Sequence, residues 1–506
     1  MVQCVSKVTP EKIVEVDDVL DKFSIYRVYH LRVMALTMLA FASNTMYCSN
    51  YVFAAENVDY RCIEPYNNMS HCASNASACA EWEYDDPNSF VAEFGLACQD
   101  WKRTLVGTVH SFGYMVGLLI VGPISDRLGR KPAVVITGVL GGLFGLLRSF
   151  SVWYWFYIAM EFLESALGDI CSPTYVLTME IVSAKNKLIF YLYCSLGYSF
   201  GGVILAVVAY LVPYWRTFLR VLYTPAFLFF FYTFLLDESP RWLLIRGKKD
   251  KAIKILEKAA KNNKKTLDKS TLEKLSCQET KNIKFLAILG ETFKSSTLRL
   301  RFFVCLVWWT TSTFVNYGMV INSVSLQGNK YVNFALTSLV DIPGNFLITY
   351  ILIHFNRKLP LITSFVVGAL LCLTQPFVPT DMPWLSITVY MVGKLVSSFY
   401  FNITYLYTLE LFPTYTRNSM HALCSSLGRI GSILAPQTPL LLPIWSGLPS
   451  VVFGLTALFA GLVTLLVPDI SNDALPDTVR EAEALGKSKA AKSQGIHNEG
   501  FDSSQL

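Results

Sequence analysis

From Val33 to Ala55 the chain carries no formally charged residue, and comparable apolar runs, some with isolated charges, recur as far as Val467. A helix that crosses the hydrocarbon core of a bilayer needs about 20 such residues. Twelve runs meet or approach this length, near residues 31–53, 104–124, 133–150, 154–178, 188–210, 217–236, 300–322, 332–354, 359–378, 383–408, 417–442 and 449–468. A soluble protein buries one or two helices of this kind, not twelve. The pattern therefore predicts an all-α membrane protein with twelve transmembrane helices. The first 29 residues are charged and mixed and show no cleavable signal peptide, so the first run is expected to stay as an uncleaved anchor.

Between the second and third runs lies Gly122–Pro132, GPISDRLGRKP. It reads as a tight turn at a membrane surface. Gly122 and Gly129 are expected to allow close backbone approach and sharp turning. Arg127, Arg130 and Lys131 would hold the turn on one face, and Asp126 would pair with a neighbouring arginine or a helix N-terminus. A cluster of this kind can hold one gated state and release it in another.

Composition agrees. Charged residues make up 16% of the 506, against about 25% in soluble domains, and the mean hydropathy is +0.41. The net charge of +6 matters less than its placement. Lys and Arg concentrate in the turns after runs 2, 4 and 8 and in the stretch 237–299, all on one face if each run crosses once. The positive-inside rule makes that face cytosolic, together with residues 1–30 and the polar tail 469–506, which reads as disordered. The loop 54–103 falls on the other face. It is acidic and carries Cys62, Cys72, Cys79 and Cys98, consistent with two disulfides of open connectivity in an oxidising compartment. It also holds glycosylation sequons at Asn68 and Asn75. A third, at Asn402, lies inside a run and is expected to stay unmodified. In the central stretch, Ala252, Ile253, Leu256 and Ala260 make the apolar stripe of an amphipathic helix resting on the bundle.

The chain repeats itself faintly. Thr178–Lys187, TMEIVSAKNK, resembles Thr408–Arg417, TLELFPTYTR. Glu180 aligns with Glu410, and each has a basic residue seven positions on, Lys187 and Arg417. HFNRKLP, starting at His354, echoes the GRKP ending at nearly the same offset. The repeat divides the chain into two parallel six-helix halves, 31–236 and 300–468, the plan of the major facilitator fold, with substrate held near the midplane between them.

GPISDRLGRKP and DESPRWLLIRGKKDKAIKIL (Asp237–Leu256) resemble motifs of that superfamily. With the cysteine-bearing first loop, ELFPTYTRN (Glu410–Asn418), VAYLVPYWR (Val208–Arg216) and LPDT (Leu475–Thr478), the chain resembles the organic cation, organic anion and carnitine transporters over nearly its whole length. The tyrosine-rich, acidic variants look more like invertebrate members than mammalian anion transporters. The resemblance implies a plasma-membrane carrier of small organic ions with a cytosolic gate. That gate would comprise Gly122, Asp126, Arg127, Gly129, Arg130, Glu180, Glu238, Arg241, Glu410 and Arg417.

An ionisable side chain deep in a membrane is costly unless paired or wetted, so each one is a candidate site. Arg429 lies about 12 residues into run 11, near the midplane at 1.5 Å per residue. The resemblance makes it a holder of a substrate carboxylate; the alternative is an ion pair with an acid of a neighbouring helix. Asp341 sits in run 8 beside Pro343 and Gly344, which would loosen the helix. Related anion transporters carry a lysine where this chain has Asn345, which argues against a plain anion site. Run 4 contributes Glu161, Glu164 and Asp169, one of which could pair with Arg148. Lys394 reads as structural. By resemblance, Tyr317, Phe401 and Tyr210 line the pocket, with Asn44 as a hydrogen-bonding partner. His110 and His421 read as packed, with proton carriage the lesser alternative.

One arginine and at least two carboxylates suit a substrate carrying both signs, or an organic cation. An organic anion exchanged against a dicarboxylate is the runner-up, and a non-transporting receptor a third reading. The expected partners are the substrate, the lipid bilayer and a coupling ion, sodium or a proton. The sequence shows no Walker loop, zinc-ligand spacing or nucleophile constellation, and no enzyme, cofactor, metal or nucleic-acid role is expected.

Overall fold

The computed structural model describes residues 16–64, 79, 81–265, 267, 272, 275, 290, 293–379, 381–413, 416–469 and 483. Among the described residues, twelve helical spans appear where the apolar runs predict them. They are α1 (Val28–Ser49, continuing as Tyr51–Ala54), α2 (Asp100–Leu128), α3 (Arg130–Arg148) and α4 (Tyr154–Leu167, then Cys171–Ile181). α5 (Lys187–Leu211) and α6 (Trp215–Leu235) complete the first half. The second half comprises α7 (Ser296–Asn322), α8 (Lys330–His354), α9 (Lys358–Thr374), α10 (Pro383–Glu410), α11 and α12 (Leu448–Thr464). α11 runs through Arg417–Gly428, Ile430–Leu434 and Ala435–Leu441.

Seven spans, α2, α3 and α5 to α9, are long and apolar enough to cross a membrane by length and composition alone. The others depart for visible reasons. α1 and α10 carry polar residues such as Asn44 and Lys394 toward the interior, α4 and α11 are interrupted, and α12 is short. Polarity is inverted relative to a soluble bundle: Leu119, Ile204, Leu228 and Phe234 face outward, while Asn44, Asp169 and Lys394 are buried. That arrangement suits a hydrocarbon solvent, in which backbone groups are satisfied within each helix.

The buried apolar residues form one large cluster mainly in α1 to α6 and a second in α7 to α12. Close packing relies on small residues. A Cβ at Gly197 would stand 2.6 Å from the Met38 carbonyl oxygen, so α1 and α5 meet backbone to backbone.

The GPISDRLGRKP stretch corrects one expectation. α2 continues to Leu128 with Pro123 inside it, and the reversal is made at a single residue, Gly129, at φ +118°. This left-handed backbone favours glycine. Gly122 is an exposed helical residue with open space around it, so it serves neither close approach nor turning.

Outside the membrane, β1 (Tyr60–Glu64) pairs antiparallel with β2 (Glu81–Tyr84), and a Cys62–Cys79 disulfide ties this hairpin. Cys98 is also disulfide-bonded. Cys72, Asn68 and Asn75 lie outside the described residues. At the opposite, basic end, Lys249–Asn262 is helical and buries Ala252, Leu256, Ala259 and Ala260, the expected stripe with Ala259 added and Ile253 half-buried.

Candidate functional site

A cavity of about 240 Å³ lies between the halves. Its volume equals the share of about eight water molecules in liquid water. Phe41 of α1, Tyr175 of α4, and Tyr191 and Tyr198 of α5 line it from the first half. Tyr317 of α7, Asp341 and Asn345 of α8, and Ser398, Phe401 and Asn402 of α10 line it from the second. Across the cavity, Tyr191 donates its hydroxyl to Asn402 Oδ1 at 2.5 Å, and Asn345 Nδ2 donates to Ser195 Oγ. The third sequon thus lies in the interior, as its place in a run predicts.

Three of the seven expected binding residues, Asp341, Tyr317 and Phe401, meet in this cavity. Arg429 adjoins it. Its Nη1 donates to the Tyr317 hydroxyl at 3.1 Å, and its guanidinium lies 4.9 Å from the centre of the Tyr114 ring. The ion pair foreseen as the alternative is not formed: among the described residues Arg429 has no carboxylate partner, and its Nε is buried without a hydrogen-bond partner.

Asp341 is not a lone charge. Lys394 Nζ lies 3.0 and 3.1 Å from its two oxygens, and Ser398 donates to it at 2.5 Å. The lysine read as structural therefore neutralises the acid read as a cation site, with Lys394 almost fully buried and Asp341 open to the cavity. Asp169 stands in the interruption of α4. It accepts from the backbone N–H groups of Cys171 and Ser172 at 3.0 and 3.2 Å, in the manner of a helix N-cap. Arg429 lies within its electrostatic reach without a direct pair. Asn44 is buried in α1, with its Nδ2 3.6 Å from Cys48 Sγ. Tyr210 is a correction. It is 63% exposed near the end of α5, edge-on to Tyr331, and does not line the cavity. A surplus of aromatics left no pattern in the sequence to separate it from the lining tyrosines.

The expected gate residues gather at the basic end. Arg130 pairs with Asp126 and, at 3.1 Å, with Glu180. Glu238 accepts from the backbone N–H groups of Arg130 and Lys131 at 3.0 and 3.2 Å, and its carboxylate occupies the space a Cβ on Gly129 would need. Arg241 donates to the Glu180 carbonyl oxygen at 3.1 Å and to Asp17 at 2.6 Å. Arg127 is exposed. In the second half Arg357 pairs with Glu410 at 3.3 Å, with Arg417 in electrostatic reach. The two glutamates thus find Arg130 and Arg357 as partners from neighbouring elements. None of these bonds joins the first half to the second.

At the hairpin end the halves are tied together. Lys330 pairs with Glu56, Phe53 stacks on Tyr331 at 5.5 Å, and Gln437 bonds both Thr104 and Thr108 at 3.0 and 2.6 Å. A second cavity of about 230 Å³, lined by Glu56, Arg103 and Ser325 among others, lies beside this latch. Lys330→Glu should place two like charges in contact and loosen it. A cysteine introduced at Ala55, a buried residue of that cavity's wall, is then expected to alkylate several-fold faster. The swap Glu56→Lys with Lys330→Glu should restore the slow rate, and an unchanged rate in the single variant would deny the latch.

Two six-helix halves around a central cavity with aromatic walls and a few polar groups are the plan of a membrane transporter. The Major Facilitator Superfamily model matches residues 33–436. Solute carrier family 22 member 1 of Bos taurus is 32% identical over 446 residues, covering 86% of this chain and 78% of that one. The organic cation transporter protein of Drosophila melanogaster is 32% identical over 465 residues, covering 88% and 84%. Among solved structures, the partially occluded inward-open xylose transporter XylE from E. coli superposes with a TM-score of 0.62 at 17% identity, covering 89% of this chain and all of that one. The chain belongs to the organic cation transporter family, solute carrier family 22, of the major facilitator superfamily.

Proposed function

We propose that the protein carries small organic ions bearing an ammonium group and a carboxylate across the plasma membrane by alternating access. The halves 31–236 and 300–468 rock about the central cavity, the hairpin faces outward, and both termini lie in the cytosol with the connecting stretch 237–299. The basic turns support this orientation through the positive-inside rule.

The observation that carries the substrate reading is the charge left over after internal pairing. Asp341 and Lys394 cancel, which leaves Arg429 without a carboxylate partner beside an aromatic cavity. A guanidinium in this state can hold a carboxylate through two parallel hydrogen bonds. The ring faces of Phe41, Tyr175, Tyr198 and Phe401 offer cation–π attraction to the ammonium end. The names of the relatives support cation transport. The same arginine favours the second reading, an organic anion exchanger.

Uptake of labelled cations, zwitterions and anions into proteoliposomes, with sodium and pH varied, separates the readings. Sustained uptake is expected to be fastest for zwitterions such as betaines. Preference for a dicarboxylate would move the assignment to the anion exchanger. Stoichiometric binding without turnover would identify a receptor.

A further inference from the structure

His110, Glu161 and Glu164 form a buried cluster that the substrate cavity does not use. His110 Nδ1 lies 2.8 Å from Glu161 Oε1 and 3.5 Å from Glu164 Oε2. All three residues are at most 4% exposed. The other ring nitrogen of His110 is buried with no hydrogen-bond partner among the described residues.

The surroundings limit what charge the cluster can hold. α3 contributes one cation, Arg148, which pairs with Glu161 and donates to Asn50 Oδ1 at 2.9 Å and the Tyr223 hydroxyl at 3.1 Å. α6 contributes Tyr223, whose hydroxyl accepts from Arg148 and lies in electrostatic reach of Glu164. α1 contributes Cys48 and the Tyr51 ring, 6.0 Å from that of His110. From α4 comes Tyr157, its ring 5.3 Å below the Arg148 guanidinium. Two carboxylates and one guanidinium leave a single negative charge in a medium where uncompensated charge is very costly. One additional proton, shared among His110, Glu161 and Glu164, makes the set neutral.

The cluster is joined to the substrate site through two helices. Tyr114, which faces Arg429, is four residues after His110 on α2 and so shares its face. On α1, Cys48 lies in electrostatic reach of both Glu164 and Arg429 and bonds Asn44. A metal ion is the competing occupant, because the three side chains could ligate one. Arg148 already occupies Glu161, however, and a divalent ion would add a second positive charge to a set that lacks only one.

We infer that His110, Glu161 and Glu164 form a proton-binding site whose proton is exchanged for the positive end of the substrate, so that a proton gradient drives transport. This rests on the transport reading above. A proton and an ammonium group compete for the same negative charge in a low-dielectric interior, which gives exchange rather than co-transport. The step moves one proton from the cluster to water as the substrate's ammonium end enters the cavity, with no bond broken except that to the proton.

Full-length protein in proteoliposomes, with membrane potential clamped and a labelled betaine as probe, tests this. For one-to-one exchange, an inside-acid gradient of one pH unit should raise steady-state accumulation about tenfold. Glu164→Gln and His110→Asn should abolish that dependence. Infrared difference spectra of the same purified protein between acid and alkaline pH should show a carboxyl band that Glu164→Gln removes, a readout independent of transport. Uptake indifferent to the gradient in the unaltered protein, or gradient dependence retained in both variants, overturns the inference. So does a carboxylate band displaced by zinc or sodium and not by pH. Absence of any uptake together with a titrating carboxyl band would sink the transport reading and leave the proton site standing.

Discussion

Arg429→Ala should weaken transport of a betaine by about ten- to a hundredfold in apparent affinity while changing that of its methyl ester little. A hydrogen bond to a charged group contributes about 1.5–3 kcal/mol, and 1.4 kcal/mol is a factor of ten. The ester keeps the ammonium group and the molecular shape, so its contacts with Phe41, Tyr175 and Phe401 survive. Arg429→Lys should recover only part of the loss, because an ammonium cannot reproduce the planar fork. Competition uptake with the two labelled compounds measures both values. Equal losses for acid and ester would mean that Arg429 only positions Tyr317 and Tyr114, the two rings it touches.

Arg148→Met should destabilise the protein by about 3–5 kcal/mol, the cost of leaving a buried charge without its partner. Arg148 and Glu161 are both fully buried, and the guanidinium also serves Asn50 and Tyr223, so its loss orphans several polar groups at once. Arg148→Met combined with Glu161→Met should recover much of the loss, since apolar side chains fill such positions at little net cost. Thermal unfolding in detergent, followed by tryptophan fluorescence, measures the effect. A single variant as stable as the parent would show that the pair adds nothing to the fold and acts only in transport.

How much of the site was legible depended on whether a residue's meaning was local. Arg429 and Asp341 stood out because ionisable residues inside long apolar runs are costly and so rarely accidental. That Lys394 would neutralise Asp341 was not legible, because Lys394 lies two helices away and nothing in the spacing sets which face it presents. Tyr210 failed for the opposite reason: tyrosine is too common here, at 26 residues, for one of them to carry a signal. Tyr114 and the pairing of His110 with Glu161 and Glu164 were missed. The four-residue spacing of His110 and Tyr114 could have shown that they share a face, but not what that face meets. Asp126 was expected to pair with a neighbouring arginine and does so with Arg130, but the other partners of the proposed gate residues were not legible. Arg130 with Glu180, and Arg357 with Glu410, are contacts between helices that only packing brings together.

The apolar runs by themselves determined a twelve-span membrane protein, because the thickness of a bilayer sets the length of every helix that crosses it. The repeat of TMEIVSAKNK in TLELFPTYTR determined two like halves, because similar segments at a constant offset mark a duplicated unit. What only the tertiary structure decided is which charges cancel. Asp341 is spent on Lys394 and Glu161 on Arg148, while Arg429 meets two aromatic rings and no carboxylate. Coulomb energy depends on separation in space, and separation along the chain says nothing about it once the helices have folded back on one another.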